Sequence, residues 1–269
     1  MGWTLEAAEG VAGRVALVTG AGSERGIGYA SAALLARRGA RVAITSTTGR
    51  IFQRLESLPA AAADKAAAVA DLTDPAQVAR LVAEVEATLG PVDILVNNAG
   101  MIQTGHGDES AGRFVETGDA QWLRGLEMNL MTAVRVTRAV LPGMAARGYG
   151  RIVQVSSVTG PLVSNPGSSI YSAAKAAMTG WTRALAIEAA PSGVTVNCVG
   201  PGWIATASQS ETEAAAGRAT PAGRSGTAAE VAACVAFLAA AEASYVTGQL
   251  LVVDGGNTLQ EHKGRDRRP

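Results

Sequence analysis

Cysteine, lysine and histidine are scarce in this chain, which has 269 residues but only two, three and two copies of them. The two cysteines, Cys198 and Cys234, lie in apolar stretches and lack the spacing of metal ligands. We therefore expect buried thiols, with neither a disulfide framework nor a metal site. Acidic and basic residues balance at 23 each. This balance argues against nucleic acid and anionic membranes as partners, because a neutral surface attracts neither.

Long apolar runs and a leader-like beginning are also missing. Residues 1–6 contain neither a basic segment nor an apolar core of the secretory type. No apolar run reaches the roughly 18 residues that span a bilayer. We therefore expect a soluble, cytoplasmic protein, and the length predicts one large domain over residues 1–269.

Short apolar runs alternate with longer helical patterns along the chain. The runs are nearly continuous in apolar residues, as expected of strands buried on both faces. The predicted strands are Val15–Thr19, Arg41–Thr45, Ala67–Ala70, Ile94–Asn97, Ile152–Ser156, Val194–Cys198 and Leu250–Val253. The predicted helices include Gly28–Arg38, Pro75–Leu89, Ala120–Ala146, Tyr171–Ala189 and Ala229–Ala241.

Repeated strand–helix–strand units predict an α/β fold. We expect a single-domain, Rossmann-type, doubly wound parallel sheet of about seven strands with helices on both faces. Two polar, small-residue stretches interrupt the rhythm, and we interpret residues 101–119 and 205–226 as substrate-side loops. Residues 258–269 are predicted to form a flexible tail.

A glycine-rich turn follows the first predicted strand and precedes a predicted helix. This order presents backbone N–H groups and a helix N-terminus to a pyrophosphate, and glycine lets the backbone approach the ligand closely. An ordinary flexible turn is the alternative, but the placement favours a nucleotide site. The predicted contacts in this loop are Gly20, Ser23, Arg25, Gly26, Ile27 and Gly28.

The end of the second predicted strand bears on the choice of cofactor. A site that prefers NAD usually places an acid there to hold the ribose 2′-OH. Residues 45–50 read TSTTGR and contain no carboxylate. We expect Ser46, Thr47 and Arg50, together with Arg25, to receive the 2′-phosphate of NADPH. Solvated surface arginines are the alternative interpretation of both cations.

One tyrosine and one lysine stand four residues apart in a segment rich in helix formers. Tyr171 and Lys175 would therefore share one face of a helix. An ammonium beside a phenol favours the phenolate, so we expect the pKa of Tyr171 to fall below its ordinary value of about 10. The pattern arises often by chance, and its weight comes from the surrounding motifs.

Taken together, these features resemble the short-chain dehydrogenase/reductase family in its compact form, over about residues 12–257. The group of greatest similarity contains the 3-oxoacyl-acyl-carrier-protein reductases, whose members also reduce other ketones. The resemblance is carried by the glycine loop and by Asp71, the run Asn97–Gly100, Asn129, Ser157, Tyr171, Lys175, Pro201, Gly202 and the run Asp254–Gly256.

The resemblance implies a catalytic set of four residues. Tyr171 would be the general acid that protonates the carbonyl oxygen, or the base in the reverse direction. Lys175 would lower the pKa of that phenol and hydrogen-bond the nicotinamide ribose. Ser157 would hold the substrate oxygen, and Asn129 would position a water that links Lys175 to solvent.

The resemblance also implies further cofactor contacts. Asp71 and Leu72 would border the adenine. The remaining residues expected along the cofactor cleft are Asn98, Ala99, Gly100, Pro201, Gly202, Ile204 and Thr206.

Ser156 and Ser157 compete for the catalytic role. Adjacent strand residues point to opposite faces, so only one of them can reach Tyr171. The family's serine usually precedes its tyrosine by about thirteen residues. Ser157 precedes Tyr171 by fourteen and Ser156 by fifteen, which favours Ser157.

The chain departs from the family pattern in three places. The glycine loop is two residues longer than usual, Thr104–Thr117 reads as an insertion, and the serine–tyrosine gap carries one extra residue near Val163–Pro166. His106 in the insertion is interpreted as a solvated loop histidine in preference to a substrate contact. We place Val163 and Trp203 in the substrate pocket, and a lid of small residues predicts a medium or bulky hydrophobic ketone.

The sequence thus predicts an NADPH-dependent reductase that converts a ketone to a secondary alcohol reversibly. The alternatives among enzymes are an NAD-linked secondary-alcohol dehydrogenase and a 3-oxoacyl-acyl-carrier-protein reductase. A cofactor sensor without turnover and a structural subunit are disfavoured, because neither needs the catalytic set. The resemblance implies a homotetramer built through the helices at 120–146 and 171–189.

Overall fold

The computed structural model describes residues 10–100 and 111–261 of the chain. Its strands are β1 (Val15–Thr19), β2 (Arg41–Ser46), β3 (Lys65–Val69), β4 (Ile94–Asn97), β5 (Gly150–Val155), β6 (Val194–Pro201) and β7 (Leu250–Val253). They form one sheet in the order β3-β2-β1-β4-β5-β6-β7. All neighbouring strands pair in parallel. The predicted seven-stranded, doubly wound sheet is confirmed.

Helices cover both faces of this sheet. They are α1 (Ile27–Arg37), α2 (Arg50–Glu56), α3 (Pro75–Leu89), α4 (Asp119–Leu126), α5 (Thr132–Arg147), α6 (Ser169–Ala189), α7 (Glu211–Arg218) and α8 (Ala228–Leu238). Short 3-10 turns occur at Ala62–Asp64, Phe114–Glu116, Ala190–Ser192, Ala241–Ala243 and Asn257–Leu259. Within the described residues, no helix is both long and apolar enough to cross a membrane.

Alternation along the strands divides the core into two halves. Ala16 and Val18 of β1 pack with α1, α2 and α8, whereas Val15 and Leu17 pack with α3, α5 and α6. All four side chains are at most 4% exposed. Successive strand side chains point to opposite faces, so a strand covered on both sides must be apolar throughout.

The prediction of one long helix over Ala120–Ala146 was wrong in detail. A π-helical stretch, Glu127–Met131, separates α4 from α5. The side-chain amide of Asn129 donates to the carbonyl oxygen of Gly125 at 3.1 Å, the acceptor that the N–H of residue 129 would use in an α-helix. Such single π turns occur frequently at functional sites.

Other boundaries also differ from prediction. Strand ends shift by one to three residues, and the helix predicted at Ala229–Ala241 ends at Leu238. The segment 205–226, predicted as a loop, contains α7. Ser210 and Glu213 form a reciprocal capping box that starts this helix despite its weak apolar pattern.

The segment expected to be a flexible tail begins with ordered contacts. Asn257–Leu259 forms a 3-10 turn, and the Gln260 side-chain amide donates to the Ala219 carbonyl oxygen at 3.3 Å. Residues 262–269 lie outside the described part of the chain.

Candidate active site

The glycine loop joins β1 to α1 at the carboxyl edge of the sheet, where strand order reverses between β1 and β4. Ligands of open parallel sheets bind at such a switch point. Gly26 is the N-cap of α1, and among the described residues no side chain caps this helix or places an acid in its first turn. The first N–H groups of α1, from Ile27 onward, are therefore available to a phosphate.

Two glycines of this loop are required by close packing. A Cβ on Gly28 would lie 2.5 Å from the Asn98 side-chain nitrogen, and one on Gly20, where φ is +68°, would lie 2.8 Å from the Ala99 Cα atom. The Asn98 amide donates to the carbonyl oxygens of Thr19 and Gly20 at 3.2 and 3.0 Å. The turn after β4 thus holds the glycine loop in place, and this packing fits a nucleotide cradle.

The end of β2 lies beside the same loop. A Cβ on Gly22 would lie 2.9 Å from the Ser46 Cβ atom. The N–H of Thr48 donates to the Ser46 hydroxyl at 3.4 Å, and the Arg50 Nε atom donates to the Thr48 hydroxyl at 3.3 Å. Arg25, Thr47 and Arg50 are exposed, so this corner of the molecule carries two cations and a hydroxyl at its surface.

An ion pair at this corner was missed by the sequence reasoning. Glu24 of the glycine loop pairs with Arg54 of α2, with 2.8 Å between Oε2 and Nη1. The residues that directly follow β2 include no acid, so they gave no indication of this carboxylate. The sequence offered one indication that Arg54 belongs to this corner. It follows Arg50 by four residues, which places both arginines on one face of α2.

The predicted adenine border follows β3. Asp71 Oδ1 accepts hydrogen bonds from the N–H and the hydroxyl of Thr73, at 2.9 and 2.7 Å. Leu72 is 5% exposed and packs in the core with α3. The Asp71 carboxylate therefore stabilises the turn that follows β3. The backbone of this turn lies at the carboxyl edge of the sheet.

Helix α6 places Tyr171 and Lys175 one turn apart, as the spacing predicts. The Lys175 ammonium nitrogen lies 5.7 Å from the centroid of the Tyr171 ring. It donates a hydrogen bond to the Val155 carbonyl oxygen at the end of β5, at 2.9 Å. The lysine is 3% exposed, so its charge is held beneath the tyrosine and away from water.

Burial lowers the pKa of Lys175 to about 8, because the charged form loses its hydration; the nearby Cys198 opposes this with a smaller effect. An ammonium that is easily discharged is suited to proton exchange near neutral pH. The Cys198 thiol is itself buried, and burial raises its pKa.

The two serines after β5 occupy different environments. The Ser156 hydroxyl donates to the Lys175 backbone carbonyl oxygen at 3.1 Å and lies 3.3 Å from the Thr179 hydroxyl. Ser157 accepts a hydrogen bond from the Thr159 N–H at 3.0 Å and is 8% exposed. Ser156 therefore anchors α6 to the strand, which leaves Ser157 as the candidate for substrate binding.

A tight loop follows Ser157. The Gly160 N–H donates to the Val163 carbonyl oxygen at 2.7 Å. Gly160 has φ +103° and lies so close to the Ser172 carbonyl that a Cβ would clash with it. Val163 is partly exposed in this loop. The loop is thus held against the turn of α6 that follows Tyr171.

Asn129 lies in the π-helical stretch and is fully buried. A Cβ on Gly100, where φ is +148°, would lie 3.2 Å from the Asn129 side-chain oxygen. The segment that follows β4 therefore packs against Asn129, which lies between α4 and α5.

The segment that follows β6 is fixed to two other parts of the chain by backbone hydrogen bonds. The Gly202 N–H donates to the Val253 carbonyl oxygen at 3.0 Å, and the Trp203 carbonyl oxygen accepts from the Gly226 N–H at 2.9 Å. Ile204 is 8% exposed and pairs with Gly226 in a short bridge. Trp203 and Thr206 are partly exposed. Pro201, at the end of β6, is buried.

The predicted insertion is described only in part. Residues 101–110, including His106, lie outside the described residues. Gly112 forms a bridge with Ser168, and the Gln121 amide donates to the Ala111 carbonyl oxygen at 2.9 Å. The end of the insertion therefore lies beside the start of α6.

The structure thus combines a glycine loop at the switch point of the sheet with a buried lysine beneath a tyrosine. Residues 20–258 match the family model described as enoyl-(acyl carrier protein) reductase. The chain belongs to the short-chain dehydrogenase/reductase family and is an oxidoreductase that acts on the CH–OH/C=O pair.

Three known proteins illustrate this similarity. Nodulation protein G of a Rhizobium species is 42% identical over 249 residues, which is 91% of this chain and 96% of that protein. The 3-oxoacyl-(acyl-carrier-protein) reductase FabG of Escherichia coli is 40% identical and covers 91% and 97%. A crystal structure from Agrobacterium tumefaciens, provisionally assigned as a gluconate dehydrogenase, is 34% identical with a TM-score of 0.83, covering 92% and 97%.

Proposed function

We propose that this protein reduces a ketone to a secondary alcohol with NADPH, reversibly. The observation that carries the proposal is the buried Lys175 ammonium, 5.7 Å from the Tyr171 ring centroid and bonded to the Val155 carbonyl oxygen at the carboxyl edge of the sheet. A nicotinamide cofactor bound there supplies the hydride. The protein then needs only to orient the reactants and to move one proton.

Each catalytic residue has one task in this proposal. The Tyr171 hydroxyl donates its proton to the substrate oxygen as a general acid. The ammonium of Lys175 favours the resulting phenolate by its charge. Ser157 orients the substrate oxygen by hydrogen bonding. The Tyr171 phenolate then regains a proton from Lys175, and Asn129 positions a water that links Lys175 to solvent, from which the lysine is reprotonated.

The cofactor contacts follow the cleft. Gly20, Ser23, Gly26, Ile27 and Gly28 would surround the pyrophosphate, and Ser46, Thr47, Arg25 and Arg50 the 2′-phosphate. Asp71 and Leu72 would border the adenine. The nicotinamide end would meet Asn98, Ala99, Gly100, Pro201, Gly202, Ile204 and Thr206.

The substrate is proposed to be a medium or bulky hydrophobic ketone. Val163 and Trp203, both partly exposed, would contact it at the mouth of the cleft. The relative FabG acts on 3-oxoacyl groups bound to a carrier protein, as its name states. A carrier-bound 3-oxoacyl chain is therefore the second candidate, and it is also hydrophobic.

The protein is also proposed to form a homotetramer and to act in the cytoplasm. Leu123 of α4 and Ile187 of α6 are 68% and 78% exposed, which gives both helices apolar surface for assembly. Light scattering on a size-exclusion column tests the tetramer, and a monomer at micromolar concentration would contradict it.

A spectrophotometric panel tests the activity. Aryl, bulky aliphatic and short ketones, a 3-oxoacyl thioester and a small keto acid are each mixed with the enzyme and NADPH or NADH. We expect cofactor absorbance to fall fastest with NADPH and a bulky hydrophobic ketone. No oxidation of either cofactor across the panel, and no reduction with the matching alcohols, would contradict the proposed reaction.

A further inference from the structure

The glycine loop brings one carboxylate to the corner where β2 ends and α2 begins. Glu24 stands between Ser23 and Arg25, and its side chain is 72% exposed. Its ion-pair partner Arg54 has a side chain only 16% exposed, with 2.8 Å between the paired atoms. The carboxylate thus faces solvent, while the guanidinium lies beneath it.

The same corner contains the groups proposed to meet the 2′-phosphate. Arg50 and Arg54 share a face of α2 because they are four residues apart. Arg50 is hydrogen-bonded to the Thr48 hydroxyl, and Gly22, two residues before Glu24, packs on Ser46. In proteins of this fold, residues that follow the second strand bind the 2′ substituent of the adenosine ribose. The Glu24–Arg54 pair therefore adjoins the position that decides between the two cofactors.

We propose that the Glu24–Arg54 ion pair sets the discrimination between NADPH and NADH. The inference rests on the proposed function, because it concerns the same cofactor site. A 2′-phosphate dianion is repelled by Glu24 and attracted by Arg54. The two residues therefore act in opposite directions on the same group, and the phosphate competes with Glu24 for the guanidinium.

This role differs from structural support of the glycine loop. A pair that only supports the loop would affect NADPH and NADH alike, because both need the loop for their pyrophosphate. A pair that discriminates would change the binding of 2′-phosphorylated ligands alone. The sign would also differ between the two positions, since one charge opposes the phosphate and the other attracts it.

Isothermal titration calorimetry on the full chain separates these roles. The proteins are the wild type, Glu24→Gln, Arg54→Gln and the double variant, and the probes are adenosine 2′,5′-bisphosphate, adenosine 5′-monophosphate, NADPH and NADH. For the two 2′-phosphorylated probes, we expect Glu24→Gln to tighten binding about threefold and Arg54→Gln to weaken it about tenfold. The double variant should bind closer to the wild type than Arg54→Gln does.

Glu84→Gln is the matched control. Glu84 is an exposed carboxylate paired with Arg80 at 3.5 Å on α3, which packs on the other face of the sheet. The Glu84→Gln variant should bind all four probes with the affinities of the wild type. Thermal melts of every variant establish that each is folded before titration.

The titration results distinguish a failure of this inference from a failure of the proposed function. Equal changes for NADPH and NADH, or no change in either, would overturn the inference while leaving the reductase activity in place. A wild type that prefers NADH, with opposite shifts at Glu24 and Arg54, would support the inference and contradict the proposed NADPH preference. A wild type that binds neither dinucleotide would overturn both.

Discussion

The proposed catalytic residues and the proposed cofactor-selecting residues lie at one edge of the sheet, but the fold holds them very differently. Asn129, Ser157 and Lys175 are 0%, 8% and 3% exposed, and each makes a hydrogen bond to the protein. Arg25 and Arg50 are exposed on a loop and at a helix start. Burial fixes the proposed catalytic groups in place, whereas the cations at the proposed cofactor corner are exposed to water.

This difference has an energetic cause. A catalytic group must be placed within a fraction of an ångström of the reacting atoms, and packing supplies that precision. A phosphate carries two charges that attract cations over several ångströms, so exposed arginines suffice. Substitutions at the catalytic residues should therefore alter turnover strongly, and substitutions at the corner should alter cofactor choice while the fold is unchanged.

Tyr171→Phe should have the largest effect. The change removes the proposed proton donor and leaves the ring in place, so turnover should fall by about 10²–10⁴-fold, the usual contribution of a general acid. Cofactor affinity should change little. Turnover is measured by cofactor absorbance, and affinity by titration of NADPH. Near wild-type turnover in a folded variant would show that Tyr171 is not the acid.

Lys175→Met should alter how stability depends on pH. The folded chain holds the lysine pKa at about 8, below its ordinary value of 10.5. Between these values the unfolded chain binds more protons than the folded chain, so this lysine makes stability rise with pH. Below pH 8 the buried charge destabilises the wild type by about 3 kcal/mol, and the methionine variant lacks this pH-dependent penalty.

Urea unfolding at pH 7.5 and 10, without cofactor, measures this contribution. The stability of the wild type relative to Lys175→Met should increase at the higher pH. Using the difference between the two proteins cancels the other groups that titrate in this range. A difference that stays constant across the range would mean that the lysine keeps an ordinary pKa in the folded chain.

Arg50→Gln should change cofactor choice without changing the fold. A charge-assisted contact to the 2′-phosphate contributes roughly 1.5 kcal/mol or more, so kcat/KM with NADPH should fall about tenfold. The value with NADH should stay within about twofold, because NADH lacks that phosphate. Arg38→Gln, which neutralises an exposed arginine at the end of α1, is the control. Equal losses with both cofactors would argue against phosphate recognition by Arg50.

Features that depend on local sequence patterns could be predicted, whereas contacts between distant residues could not. The sheet was predictable because strands buried on both faces leave continuous apolar runs, as in β1 and β4. The Tyr171–Lys175 pair was predictable because helical periodicity alone places them together. Glu24 was missed because its partner Arg54 lies 30 positions away in sequence, and no local pattern joins a loop to a later helix.

The prediction of helix boundaries was wrong for a related reason. Periodicity predicted one helix over Ala120–Ala146, and nothing in the segment Glu127–Met131 pointed to the single π turn found there. The contact between the Asn129 side-chain amide and the Gly125 carbonyl oxygen lies at the break. Similarly, the capping box of α7 involves Ser210 and Glu213, but the alanine-rich segment between Ala205 and Gly226 lacks the apolar stripe that would predict a helix.

Trp203→Ala should have the smallest effect, and one confined to large substrates. Trp203 is partly exposed after β6, and its backbone is fixed to Gly226, so removing the indole should leave the lid attached. If the indole contacts the substrate, kcat/KM for an aryl ketone should fall about fivefold, as expected for the loss of roughly 1 kcal/mol of apolar contact. A short aliphatic ketone should be reduced at an unchanged rate, and Trp203→Phe should restore most of the loss. An equal change for both ketones would mean that the indole supports the lid and that other residues, such as Val163, select the substrate.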